Sequence, residues 1–138
     1  MKEIGPYRLV LIAISILALT AIFLFQGFNF AKLVVPHTDS VSKIFVFNTN
    51  KSIRFILNDV FAIMLIYALF RERKYVMFAC IIQLAGMICI LFPYLTLKTY
   101  YPAYNGPLIS YLHRLVVNPL LLLLLIPAFC YQRMRKKT

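Results

Sequence analysis

Two short stretches of the chain carry the same pair of polar side chains at the same spacing. They are Arg54 and Asn58 in KSIRFILND (51–59), and Arg114 and Asn118 in HRLVVNP (113–119). Residues four apart share one face of a helix, so each stretch presents a guanidinium and a carboxamide as a polar stripe. Ser110 extends the second stripe, and His113 sits beside it, rotated by about 100°. Asp59 directly follows the first pair. The candidate site is therefore Arg54, Asn58, Asp59, His113, Arg114 and Asn118.

Three chemistries fit these residue types. The group can hold a partner, or glue helices, through hydrogen bonds commonly worth ~0.6–2 kcal/mol in a membrane. Asp59 and His113 could relay protons in a small transporter or channel. The third is a membrane cysteine peptidase, with Cys89 as nucleophile, His113 as base and Arg54 or Arg114 as oxyanion stabiliser.

The medium around these residues follows from composition. The chain has 138 residues, of which 62% are hydrophobic, whereas soluble domains hold about 45–50% apolar residues even counting Gly. A soluble fold of this length cannot hide so much apolar surface, so the solvent is lipid. Lys and Arg number 15 against 4 Asp and Glu, a net charge of +11. That excess does not point to nucleic acid, because the cations punctuate apolar runs and no polar domain presents a basic face. Cys80, Cys89 and Cys130 lie within or at the ends of apolar runs without C-x-x-C spacing, and read as small buried apolar residues. His37 and His113 are far apart and share no metal-binding spacing, so neither a metal nor a cofactor is expected.

The elements that carry the polar residues are long apolar runs, each near the ~20 residues a membrane-crossing helix needs. The expected fold is all-α: one polytopic membrane domain, 1–138, with four transmembrane helices at about 9–28, 52–70, 75–95 and 108–129. The first run is too long for a signal-peptide core of ~7–15 residues and lacks a following cleavage site, so it reads as a retained anchor. Pro119 and Pro127 can bend the fourth span locally. The connection 29–51 reads as a long outer loop with an apolar patch, IFVF, at 44–47. The connection 98–107, KTYYPAYNGP, reads as a turn-rich loop.

Orientation follows from Lys and Arg in the short connections. Lys2, Arg8, Arg71, Arg73, Lys74, Arg133, Arg135, Lys136 and Lys137 fall on one side, and Lys32, Lys43, Lys51 and Lys98 on the other. Both termini are thus expected to be cytoplasmic. Tyr75, Tyr94, Tyr100, Tyr101, Tyr104 and Tyr131 lie near the proposed interfaces, where amphipathic rings are favoured.

In this frame the two Arg/Asn pairs occupy equivalent places. Asn58 lies about 20 Å from Arg71 and Asn118 about 22 Å from Arg133 at helical rise, which puts both in the outer third of the bilayer. Asp59 is the one acidic residue well inside a span, and a carboxylate there needs a cation. Arg114 is the first candidate and Arg54 the second. The expectation is an outward-opening polar cluster between spans two and four, approached by Gln83 from span three.

The stretch RFILNDVFAIMLIYALF, its basic loop RERK, and the ending HRLVVNPLLLLLLIPAFCYQ resemble the exosortase F system-associated membrane proteins. The likeness is greatest in the carboxyl-terminal third, with R-x-x-x-N-P, the leucine run and PAF-x-YQ. Cys130 stands where an aromatic residue is expected, and Asn118 where a glutamine is expected. The resemblance implies a multi-pass protein of the bacterial inner membrane, near an exosortase that cleaves carboxyl-terminal sorting signals at the outer face. It implies a non-enzymatic accessory role, with the exosortase or a sorting-signal helix as partner alongside the lipid bilayer and no nucleic acid. A homo-oligomer is compatible with the chain. The peptidase alternative finds no polar shell around Cys89 in ICILF. The transporter alternative needs several copies to enclose a path.

Overall fold

The computed structural model describes residues 5–34, 40–117 and 120–137. Within them the elements are α1 (Pro6–Leu24), α2 (Ala31–Val34), α3 (Lys43–Phe70), α4 (Arg73–Gly86), a π-helical turn (Met87–Leu91), α5 (Phe92–Tyr100), α6 (Pro107–Val117) and α7 (Leu120–Arg135). There is no strand among the described residues. The stretches Pro6–Leu24, Lys43–Phe70 and Arg73–Tyr100 are each long and apolar enough to cross a membrane. By length and composition of its helices this is a membrane protein.

α3 begins nine residues before the apolar window that announced it, and the patch IFVF lies inside it rather than in a loop. The polar run NTNKS that follows does not break the helix, because its amides meet neighbouring segments. Asn48 Nδ2 donates to Thr99 Oγ1 at 3.0 Å, and Asn50 Oδ1 accepts from the Phe30 backbone N–H at 3.0 Å. Phe47 stands 6.4 Å from the Tyr94 ring. α3 is the central helix. Half of its most apolar window is buried, against 11% for α1, whose Leu9, Val10, Ile14 and Leu17 face outward as lipid-facing residues do.

Two arginines tie α1 to α3 at opposite ends. Arg8, in the first turn of α1, donates from Nε to the Ala68 carbonyl at 3.1 Å and from Nη2 to the Leu69 carbonyl at 2.9 Å, in the last turn of α3. Arg54 on α3 donates from Nη2 to the Phe28 carbonyl at 3.0 Å and to that of Phe25 at 3.4 Å, just past the end of α1. The last carbonyls of a helix lack intrahelical donors, and the helix dipole makes that end attractive to a cation. The two helices therefore run antiparallel, each terminated by the other's guanidinium.

α3 ends at Arg71, which takes the left-handed conformation with φ 53° and donates its N–H to the Tyr67 carbonyl at 2.8 Å. A non-glycine residue pays ~1–2 kcal/mol for that conformation. One residue on, Glu72 receives Lys74 Nζ at 2.7 Å, and this ammonium holds its exposed carboxyl below the usual range. The turn returns the chain into α4, and the helix then runs to Tyr100. Its π-helical turn stands just ahead of Pro93, with the Phe92 N–H reaching back to the Met87 carbonyl. Proline has no N–H and crowds the carbonyl four residues before it, so a locally wider helix relieves both faults.

Two apolar clusters hold the bundle. Near the α3–α4 turn, Ala62, Ile66, Phe70, Tyr75 and Ala79 enclose Phe129 of α7. Its ring lies 4.5 Å from that of Tyr75 and 5.6 Å from that of Phe70. Toward the other end, Phe55, Ile90, Leu91 and Tyr94 pack against Ile109 and Val116 of α6. The expected fourth span falls on α6 and α7, and residues 118 and 119 between them lie outside the described residues.

Candidate functional site

Arg54 is the most deeply buried of the expected site residues, with 1% of its surface exposed. It projects from the middle of α3 toward the chain that leaves α1. Besides its two carbonyl bonds, its guanidinium carbon lies 5.3 Å from the Phe30 ring centroid, a cation–π arrangement. The same segment is fixed from below by Asn50 and by Asn29, whose Oδ1 accepts from the Ala31 N–H at 3.2 Å. Arg54 Nε and Nη1 meet no acceptor among the described residues. Asn58 lies one turn further along α3 and is also buried.

The remaining expected residues do not join this arrangement. Asp59 is buried, yet it forms no ion pair with Arg54 or Arg114 among the described residues; the ion pair there is Lys74 with Glu72. The physical reasons are plain. Arg54 and Asp59 are five residues apart, about 140° around the helix, and Arg54 is engaged by the carbonyls beyond α1. Arg114 is exposed on α6. Gln83 is partly buried on α4. Asn118 lies outside the described residues.

This arrangement sets an expectation for Asp59. Breaking a buried ion pair costs roughly 3–5 kcal/mol. With no such pair present, Asp59→Asn should leave the protein within about 1 kcal/mol of its original stability, read as thermal unfolding in detergent. A loss of the larger size would mean that Asp59 has a cationic partner after all.

His113 belongs to a second polar group. Its Nδ1 lies 2.9 Å from the Tyr94 hydroxyl, which joins α6 to α5. The two line a cleft of about 300 Å³ together with Phe47, Lys98, Asn105 and Ser110. Lys51 rides above the Phe47 ring, 5.6 Å from its centroid. At the edge of the cleft the Tyr104 ring lies across the backbone of Gly106, where any Cβ would collide with it. Of these residues, sequence spacing singled out only His113 and Ser110. Tyr94 and Lys98 carry no motif, and only the fold brings them to α6.

The cysteines are not buried. Cys80, Cys89 and Cys130 are all exposed on the outer surface of their helices. An apolar thiol loses nothing by facing lipid, so hydrophobicity alone does not send it inward. Among the described residues no three His, Cys, Asp or Glu side chains come together as metal ligands. No family model, curated protein or solved structure matches the chain.

Proposed function

We propose that this chain is a non-enzymatic accessory protein of an exosortase-type sorting system in the bacterial inner membrane. In this reading it crosses the bilayer four times, with α6 and α7 forming the fourth span and both termini cytoplasmic. The exosortase or its substrate's apolar sorting helix is the partner.

The observation that carries the reading is the exposure of Arg114. It stands on α6 beside outward-facing Leu108 and Tyr111, about 10 Å along the helix from Pro107. A cation on the lipid face of a span is costly unless it reaches water or a polar group on another protein. Arg54, by contrast, is consumed inside the bundle. Arg114 is thus the member of the repeated pair left for a partner. The outward-facing cysteines support a role other than nucleophile, since Cys89 lies on the outer surface while His113 is engaged by Tyr94.

Two measurements test the proposal. For topology, alkaline phosphatase fused near Asn105 should be active and fused after Thr138 inactive; the opposite pattern would reverse the orientation. For function, Arg114→Leu should loosen co-purification with the exosortase by about tenfold while the protein stays in the membrane. Replacing Cys80, Cys89 and Cys130 together by Ala should leave sorting intact. A cysteine-free protein that folds but cannot support sorting would transfer the case to the peptidase reading.

A further inference from the structure

We infer that the cleft between α3, α5 and α6 is a binding site for a phosphate-type oxyanion. The inference stands on the cleft alone and does not depend on the identity of the protein partner.

Four side chains that can donate hydrogen bonds line the cleft: Lys98, Asn105, Ser110 and His113. They differ in chemistry, and a tetrahedral oxyanion with several acceptor oxygens uses such a set better than a single carbonyl does. The Tyr94 hydroxyl shares a 2.9 Å hydrogen bond with His113 Nδ1, so Nε2 is the other nitrogen through which this lining side chain can meet a ligand.

Charge points the same way. Among the described residues no carboxylate lines the cleft. Lys98 is in its wall, and Lys51 sits over Phe47, which forms another part of that wall. Among the described residues neither lysine has a carboxylate partner. Glu72 is engaged by Lys74 at the far end of α3, and Asp59 forms no ion pair. Two ammonium groups with no carboxylate partner among the described residues, beside a concave, partly apolar surface, concentrate anions.

The apolar part of the lining limits the ligand further. Phe47, the Tyr94 ring and Ile109 form a surface against which a glycerol or acyl portion could lie. The volume, about 300 Å³, is at the small end of ligand sites and suits a headgroup rather than a whole lipid. The cleft also lies where α5 ends and α6 begins, at one end of the helices; in the four-span topology proposed above, that end meets the headgroups. Two sources share this chemistry: the phosphate of an anionic lipid and free phosphate.

The test uses the full chain in neutral detergent. Native mass spectrometry with added phosphatidylglycerol reads the lipid source, and calorimetric titration with inorganic phosphate reads the free one. Retained phosphatidylglycerol that inorganic phosphate does not displace supports a lipid site; direct phosphate binding supports a free-anion site. In either case Lys98→Gln should weaken binding by about fivefold or more. Ser110→Leu, a change at an exposed position that fills the cleft, should weaken it comparably. Lys43→Gln removes a charge from the same end of α3 without touching the cleft, and should have no effect. Circular dichroism of each variant confirms that its helices persist. The inference is overturned if neither probe binds, or if Lys43→Gln weakens binding as much as Lys98→Gln, which would reduce the effect to general attraction between a basic protein and an anion.

Discussion

Arg54→Ala should lower the unfolding free energy by roughly 2–4 kcal/mol, measured by denaturant titration in detergent. The Phe28 carbonyl, held at 3.0 Å in a part-buried bond, would lose its donor inside the protein, at no more than the ~1–3 kcal/mol that a stranded buried acceptor costs. The Phe25 bond at 3.4 Å is longer and adds little. The void left by the side chain accounts for the rest. Part of this is offset, because two guanidinium nitrogens that now lack acceptors would be removed as well. Arg54→Met separates the contributions. It restores most of the volume but no donor, so it should recover the void and keep the carbonyl penalty. A Met variant as stable as the original protein would show that hydrogen bonding by Arg54 does not hold the 25–31 segment.

The second large effect is expected at Phe129. Its ring is enclosed by Phe70, Tyr75 and Phe78, with centroids 4.5–5.9 Å away. In a soluble core Phe→Ala costs roughly 3–5 kcal/mol, part of it transfer from water. In a bilayer the separated helices expose the ring to lipid, so the transfer part falls away and contact loss remains. Phe129→Ala should therefore cost about 2–3 kcal/mol, with α7 loosening from α4 before the α1–α3 pair separates. Cysteine crosslinking between α4 and α7 would follow that loosening. Equal loss of all helix contacts in one step would argue against an independent aromatic cluster.

Sequence patterning and three-dimensional contacts divide the explanation of this molecule unevenly. Uninterrupted apolar runs are enough to locate the helical stretches Pro6–Leu24, Lys43–Phe70 and Arg73–Tyr100 approximately, because lipid permits little else. The start of α3 was not legible, since NTNKS reads as a loop until Thr99 and Phe30 are known to satisfy its amides. The importance of Arg54 could be read from a charge placed among apolar residues. Its partners could not, because they are backbone carbonyls, and a backbone group leaves no trace in side-chain patterns. The same blindness produced the expected Asp59–arginine pair: Arg114, the first candidate, is exposed on α6, and helical phase turns Arg54, the second, away from Asp59. For His113, nothing in the sequence marks Tyr94, nineteen positions earlier, as its neighbour.

The crossed arginine ties between α1 and α3 also make the helix pair a ruler. From Arg8 to Phe25 the chain rises about 26 Å, a few ångströms less than a typical hydrocarbon layer of ~30 Å. A single helix meets such a mismatch by sliding, and its end arginines extend along the normal to reach water. Here both guanidiniums are committed to backbone carbonyls, Arg8 to those of α3 and Arg54 to those of the segment that follows α1, so neither is free to extend and the pair resists slipping. Tilting would only shorten the span. The bilayer is then expected to yield, thinning around α1 at a cost of fractions of a kcal/mol per ångström. In a membrane of uneven thickness, that cost is enough to bias where this protein resides and to favour neighbours that thin the lipid in the same way.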